Sequence, residues 1–167
     1  MGETQLALFP EIDELATARR VRLFFDRDLP RLLNRAGRPI TDLTSPQLDA
    51  VGGGHGSLKN GQEAMIIDHL EAIELYNTLV DAVIKSLALM RDSEGFHFHK
   101  TLLVDCYIKR VRDIEEMAKL GMSDSPITVH KREACVEFAE IFDSVKTQMR
   151  IPASAVPAMT VFRQESA

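Results

Sequence analysis

Residues 101–142, TLLVDCYIKRVRDIEEMAKLGMSDSPITVHKREACVEFAEIF, decide how the chain is read. They predict a helix, a second short helix, a tight turn and a third helix. Val111, Ile114, Met117 and Ala118 recur at three- and four-residue spacing, the signature of one helix face. Leu120-Gly121 ends that helix, because glycine adopts the left-handed conformation of a C-cap without a Cβ clash. Ser125 before Pro126 reads as an N-cap followed by a proline at the first helical position, where its missing N–H costs nothing. Beyond it, Ile127, Ala134, Phe138, Ile141 and Val145 form one apolar stripe. At about 100° per residue, Ser125, Thr128, Val129 and Arg132 fall opposite that stripe, with Lys131 beside it.

Two helices joined by a short glycine turn, the second opening with small polar residues and two cations, make a helix-turn-helix candidate. An ordinary αα-hairpin inside a helical core has the same spacing. Lys131-Arg132 alone does not separate the two, since any solvated face can carry such a pair.

Outward from this stretch, residues 63–90 predict one long helix of about 42 Å at about 1.5 Å per residue. Ile66, Leu70, Ile73, Val80, Ile84 and Leu87 step by three and four, with Asn77 filling the remaining position. That pattern resembles a heptad seam in which one polar residue sets register, so these six apolar residues are the expected self-association surface, with a dimer favoured. Leu75, Leu79 and Val83 widen the apolar arc, which leaves intramolecular packing equally open.

Residues 1–37 read as a basic helical segment, helical from Pro10 to Gly37 with a kink or split at Pro30. Val21, Phe24, Phe25, Leu29, Leu32 and Leu33 give its buried face. Residues 19–38 carry seven arginines against Asp26 and Asp28. That excess makes Arg20, Arg27 and Arg31 either a solvated surface or a second contact with DNA phosphate or a polymerase. Residues 38–62 read as a flexible linker around Gly52-Gly53-Gly54-His55-Gly56, which would free the first helix to dock elsewhere. No Gly-Lys-Ser/Thr follows those glycines, so a phosphate loop is rejected. Residues 63–150 form the expected helical domain, with the helix-turn-helix at about 111–142. Residues 151–167, with Pro152 and Pro157, read as a mobile tail.

The formal net charge of −5 argues against a protein that coats nucleic acid without specificity, but the uneven placement of charge leaves a site-specific binder open. No apolar run is long enough to span a membrane, and MGETQLALFPEID lacks the order of a signal peptide, so the cytoplasm is expected. Cys106 and Cys135, without metal-ligand spacing, read as reduced thiols. His97 and His99 are two apart, a poor metal pair on a helix. No nucleophile, cofactor or metal motif appears, so neither an enzyme nor a cofactor is expected.

The run YIKR…DIEEMAKLGMSDSPITVHKREACVEFAEIF resembles the C-terminal part of the ArpU family of phage-encoded transcriptional regulators. LFPEIDELAT near the N-terminus and LTSPQLDAV in the middle, followed by glycines and His55, resemble the same family in the same order. The resemblance covers most of the span from residue 6 to residue 145. Pro126, Ile127 and Glu133 depart from the family pattern, which bears on the DNA sequence read.

The resemblance implies an all-α helical bundle with a long central helix and a C-terminal helix-turn-helix similar to region 4 of bacterial sigma factors. It implies a regulator of phage late genes, at work on the nucleoid of a bacterial host. Its partners would be double-stranded DNA and, by the sigma analogy, RNA polymerase. The Pro126 helix would enter the major groove, with Ser125, Thr128, Val129, Lys131 and Arg132 as its DNA contacts. The alternative is an oligomeric DNA-packaging or assembly adaptor that builds a ring with the same elements.

Overall fold

Asp13 starts the first helix by accepting the Ala16 N–H on its side chain at 2.9 Å. The computed structural model describes residues 8–44 and 63–164. In it α1 spans Glu14–Leu23, a π turn spans Phe24–Asp28 and α2 spans Leu29–Ala36. Proline at position 30 can neither donate to the backbone ladder nor sit against a carbonyl four residues back. The chain widens instead of breaking. The Leu29 N–H reaches the Phe24 carbonyl, five residues back, and α2 runs on to Gly37 at φ 65°.

A 3₁₀ turn at Ile40–Leu43 follows, then α3 at Glu63–Leu89 and a second 3₁₀ turn at Glu94–Phe96. Next come α4 at His99–Leu103, a π turn at Val104–Ile108, α5 at Asp113–Leu120 and α6 at Asp124–Gln148. Among the described residues the regular elements are all helical, with no strand. One antiparallel bridge pairs Ile12 with Phe162.

The core sits where the α1–α2 rod crosses α6 and α3. Phe24, Phe25, Phe138 and Phe142 meet there, with ring centroids 5.0 Å apart for Phe25–Phe138 and 5.5 Å for Phe24–Phe142. Full burial of each ring contributes roughly 1.5–3 kcal/mol. The N-terminal segment is therefore part of the core rather than an arm free to dock elsewhere.

Three further expectations change. Val80, Ile84 and Leu87 are buried in this chain's own core, so half of the supposed dimer seam is intramolecular packing. Leu70 is exposed and Ile73 half-buried, while the side chain of Ile66 lies outside the described residues. The start of the expected linker is folded. Arg38 pairs with Asp42 at 2.9 Å and with Asp81 on α3, and Leu43 is buried. Residues 45–62, with the glycine cluster and His55, lie outside the described residues.

The expected mobile tail is docked along residues 151–163. Ile151 and Met159 are buried, and the Asp143 carboxylate accepts the N–H groups of Met159 and Thr160, each at 2.8 Å. Asp13 N–H donates to the Val161 carbonyl at 2.8 Å, and Val161 N–H to the buried Thr17 hydroxyl at 3.0 Å. Prolines end the helix, but apolar anchors and satisfied backbone groups still hold an irregular segment in place.

Candidate nucleic-acid interface

Arg110 enters the left-handed region at φ 61°, which delays α5 until Asp113. The Arg112 carbonyl then accepts the first helical N–H groups, those of Glu115 and Glu116, at 3.0 and 3.1 Å. Gly121 ends α5 at φ 67°, as the sequence predicts, and Met122 N–H closes the turn onto the Met117 carbonyl at 2.9 Å. The cap of α6 is Ser123, two residues ahead of the expected Ser125, and Pro126 falls within the first turn. The side chain of Ser125 lies outside the described residues. A small core of Leu102, Cys106 and Ile127 joins α4 and its π turn to α6, with Met117, Leu120 and Met122 packed against it.

The apolar stripe of α6 is buried as expected at Ile127, Ala134, Phe138 and Val145, with Ile141 half-buried. That of α5 is rotated. Ile114 is 69% exposed and Ala118 is exposed, while Glu116 is 0% exposed. Two turns of helix are too short for four apolar residues to fix the phase. A buried polar group decides it instead. Lys119 donates to the buried Asp105 carboxylate at 2.6 Å, which turns the Glu116 side of α5 inward.

Both Glu116 oxygens are buried without a hydrogen-bond partner, a setting that favours the protonated, uncharged carboxyl. Burial, then the neighbouring Asp105, pushes the Glu116 carboxyl up to about 7. Burial also works to raise Asp105, but the Lys119 hydrogen bond and the charges of Lys119 and Lys109 hold it below its ordinary range.

The structure brings Thr128, Lys131 and Arg132 together on one wall of a cleft of about 260 Å³. Leu15, Ala18 and Arg22 of α1 form the other wall, with Tyr107, Asp113 and Cys135 completing the lining. Val129 is half-buried outside this lining. Neither cation stands alone in solvent. Lys131 donates to Asp113 at 2.8 and 3.1 Å and sits 5.1 Å from the Tyr107 ring centroid. Arg132 Nε lies 3.3 Å from a Glu14 oxygen, at an angle that leaves its buried N–H without a hydrogen-bond partner.

Arg22, Glu14, Asp113 and Tyr107 belong to this site without having been singled out from the sequence. Arg22 and Glu14 join it because α1 lies along α6, and Asp113 and Tyr107 because α5 and the π turn pack beside Lys131, contacts that no local pattern records. The Arg20, Arg27 and Arg31 set does not gather here. Arg20 donates to the Ala158 carbonyl at 2.6 Å, fastening the C-terminal segment, and Arg27 pairs with its neighbour Asp28 at 2.8 Å. Arg31 lines a separate cleft with Arg35, Tyr76 and Val156.

Cys106 and Cys135 are free, buried thiols, pushed up by burial to about 12 and about 11. At neutral pH such thiols hold their protons, which makes them poor nucleophiles. His99 bonds to Glu137 at 2.5 Å, and His97 stacks on His130 with centroids 3.7 Å apart. Among the described residues no three His, Cys, Asp or Glu side chains are grouped to hold a metal ion. No described helix is long and apolar enough to cross a membrane. Comparison with protein-family models, curated proteins and solved structures finds no match to this chain.

Proposed function

We propose that this chain is a sequence-specific DNA-binding regulator that works without chemistry, its α5–Gly121–α6 hairpin serving as the helix-turn-helix. The observation that carries the reading is the hairpin itself. A glycine-capped helix turns in three residues into a second helix whose opening turns bear Thr128, Lys131 and Arg132. The Asp113 and Glu14 carboxylates are about half exposed and can swing into water, so DNA phosphate can take the cations from them. The resemblance to phage late-gene regulators extends the proposal to a bacterial cytoplasm and to RNA polymerase as second partner.

The test is selection of bound duplexes from a random pool, followed by isotherms for Lys131→Ala and Arg132→Ala. A shared sequence should emerge. Each change should weaken binding to it by about 1–3 kcal/mol for a base contact, or flatten the salt slope by about one for a phosphate contact. No enriched sequence, or unchanged isotherms for the double variant, would sink the assignment.

A second reading, an oligomeric packaging or assembly adaptor, is favoured by one feature. Leu70 and Ile73 lie on the first half of α3, ahead of the buried run that starts at Leu79. A solution mass measurement separates a dimer from a ring of eight or more.

A further inference from the structure

Cations and acids in the α1–α6 cleft are not placed alike. The Lys131 and Arg132 side chains are 19% and 35% exposed, whereas those of Asp113 and Glu14 are 50% and 54% exposed. The cations sit within the walls and the carboxylates at the rim, where they can swing into water. Arg22 adds a third cation from α1. Its Nε bonds the Ala18 carbonyl of its own helix, at 3.3 Å, and among the described residues it has no ion pair. The buried Arg132 N–H still lacks an acceptor, and an unsatisfied buried donor is costly. Leu15 and Ala18 close the α1 side with apolar surface, and the cleft of about 260 Å³ has room for a small ligand.

We propose that this cleft is a binding site for a phosphate group, held by Arg22 from one helix and Lys131 and Arg132 from another. Glu14 and Asp113 occupy the cations until a phosphate displaces them. Tetrahedral oxygens can take charge-assisted N–H bonds from several directions at once, which a rim carboxylate reaching one cation cannot do. The site stands on the cleft's own geometry. DNA is one of two sources of the phosphate, a free phosphorylated small molecule being the other.

The experiment uses the full chain and inorganic phosphate, titrated against chloride at matched ionic strength. Thermal midpoint and tyrosine emission are the readouts. The chain has no Trp and two Tyr, so a Tyr76→Phe background leaves Tyr107, on the cleft wall, as the sole reporter. The midpoint should climb with phosphate, and the emission should change along the same saturating curve. Arg22→Gln, Lys131→Gln and Arg132→Gln should each weaken binding about tenfold or more, as expected for losing one charge-assisted bond. Arg31→Gln, on the other cleft, should not.

Arg22→Lys, which keeps the charge, should recover part of the loss and guards against misfolding of the Gln variant. If DNA supplies the phosphate, Arg22→Gln also flattens the salt slope of duplex binding by about one, and inorganic phosphate competes with duplex. If a free phosphoester is the ligand, the duplex slope is unchanged while phosphate binding is lost. The same response in the parent and the Arg22→Gln/Arg132→Gln variant, or no saturable response, would overturn the site. Either result leaves the DNA reading to its own test.

Discussion

Glu14 of α1 and Arg132 of α6 meet at 3.3 Å, so the first helix of the chain is tied to the helix proposed to read DNA. Asp113 and Lys131 make a second tie from α5 at 2.8 Å. Both acids are about half exposed, so the ties occupy the cations more than they hold the fold together.

Glu14→Gln with Asp113→Asn should therefore raise affinity for a selected duplex several-fold while the thermal midpoint barely moves. Water screens the half-exposed acid of each pair, which keeps its contribution to stability small. Asp28→Asn, which removes an acid paired elsewhere, is the control for net charge and should have a smaller effect. If the control gains as much as the double variant, the ties do not compete with DNA.

Val80 and Leu70 separate core from interface. Val80 is fully buried, so Val80→Lys should lose the cooperative melting transition rather than yield a folded monomer. Leu70 is exposed, so Leu70→Lys should keep the parent's melting curve while weakening any self-association. Sedimentation of the parent and the Leu70 variant at tens of micromolar checks this. A Val80→Lys chain that melts like the parent would contradict the packing described.

Glu116 sets a pH dependence. Its carboxyl is raised in the folded chain from an ordinary 4.5 to about 7. Between those values the folded chain keeps a proton that the unfolded chain has released, so stability falls as pH rises through the window. The depressed Asp105 carboxyl acts with the opposite sign, but only below its ordinary 3.8. Glu116→Gln lacks the loss, so its stability relative to the parent should improve between pH 5 and pH 8. Denaturant midpoints at the two pH values measure this; a constant difference would mean that Glu116 ionises normally.

Asp143 anchors the C-terminal segment through two backbone N–H groups. Asp143→Ala should cost about 1–3 kcal/mol by leaving those donors unsatisfied. It should also increase amide exchange at Met159 and Thr160 above all. Uniform exchange across the chain would show that the segment is not held by this carboxylate.

Much of the architecture was legible in the sequence because its causes are local. Apolar residues at helical spacing marked α1, α2, α3 and α6, and the glycines at 37 and 121 marked two ends, each at a φ that disfavours other residues. The stripe of α6 was readable because it runs for about five turns. At eight residues α5 offered too little pattern, and its orientation went to the Lys119–Asp105 contact, made across the turn between helices. Ser123 took the cap from Ser125, a shift of two residues that a run of small polar side chains does not resolve.

The sequence by itself determined the helices, the glycine turn and the cations at the start of α6. Only the tertiary structure decided what those elements meet: that the α3 seam closes on its own chain, that the segment after residue 150 returns to Asp13 and Thr17, and that Arg132 faces Glu14. Periodicity is a one-dimensional signal and names the face that must be buried. The partner of that face is chosen among segments far away along the chain, by shape and charge that no local spacing records.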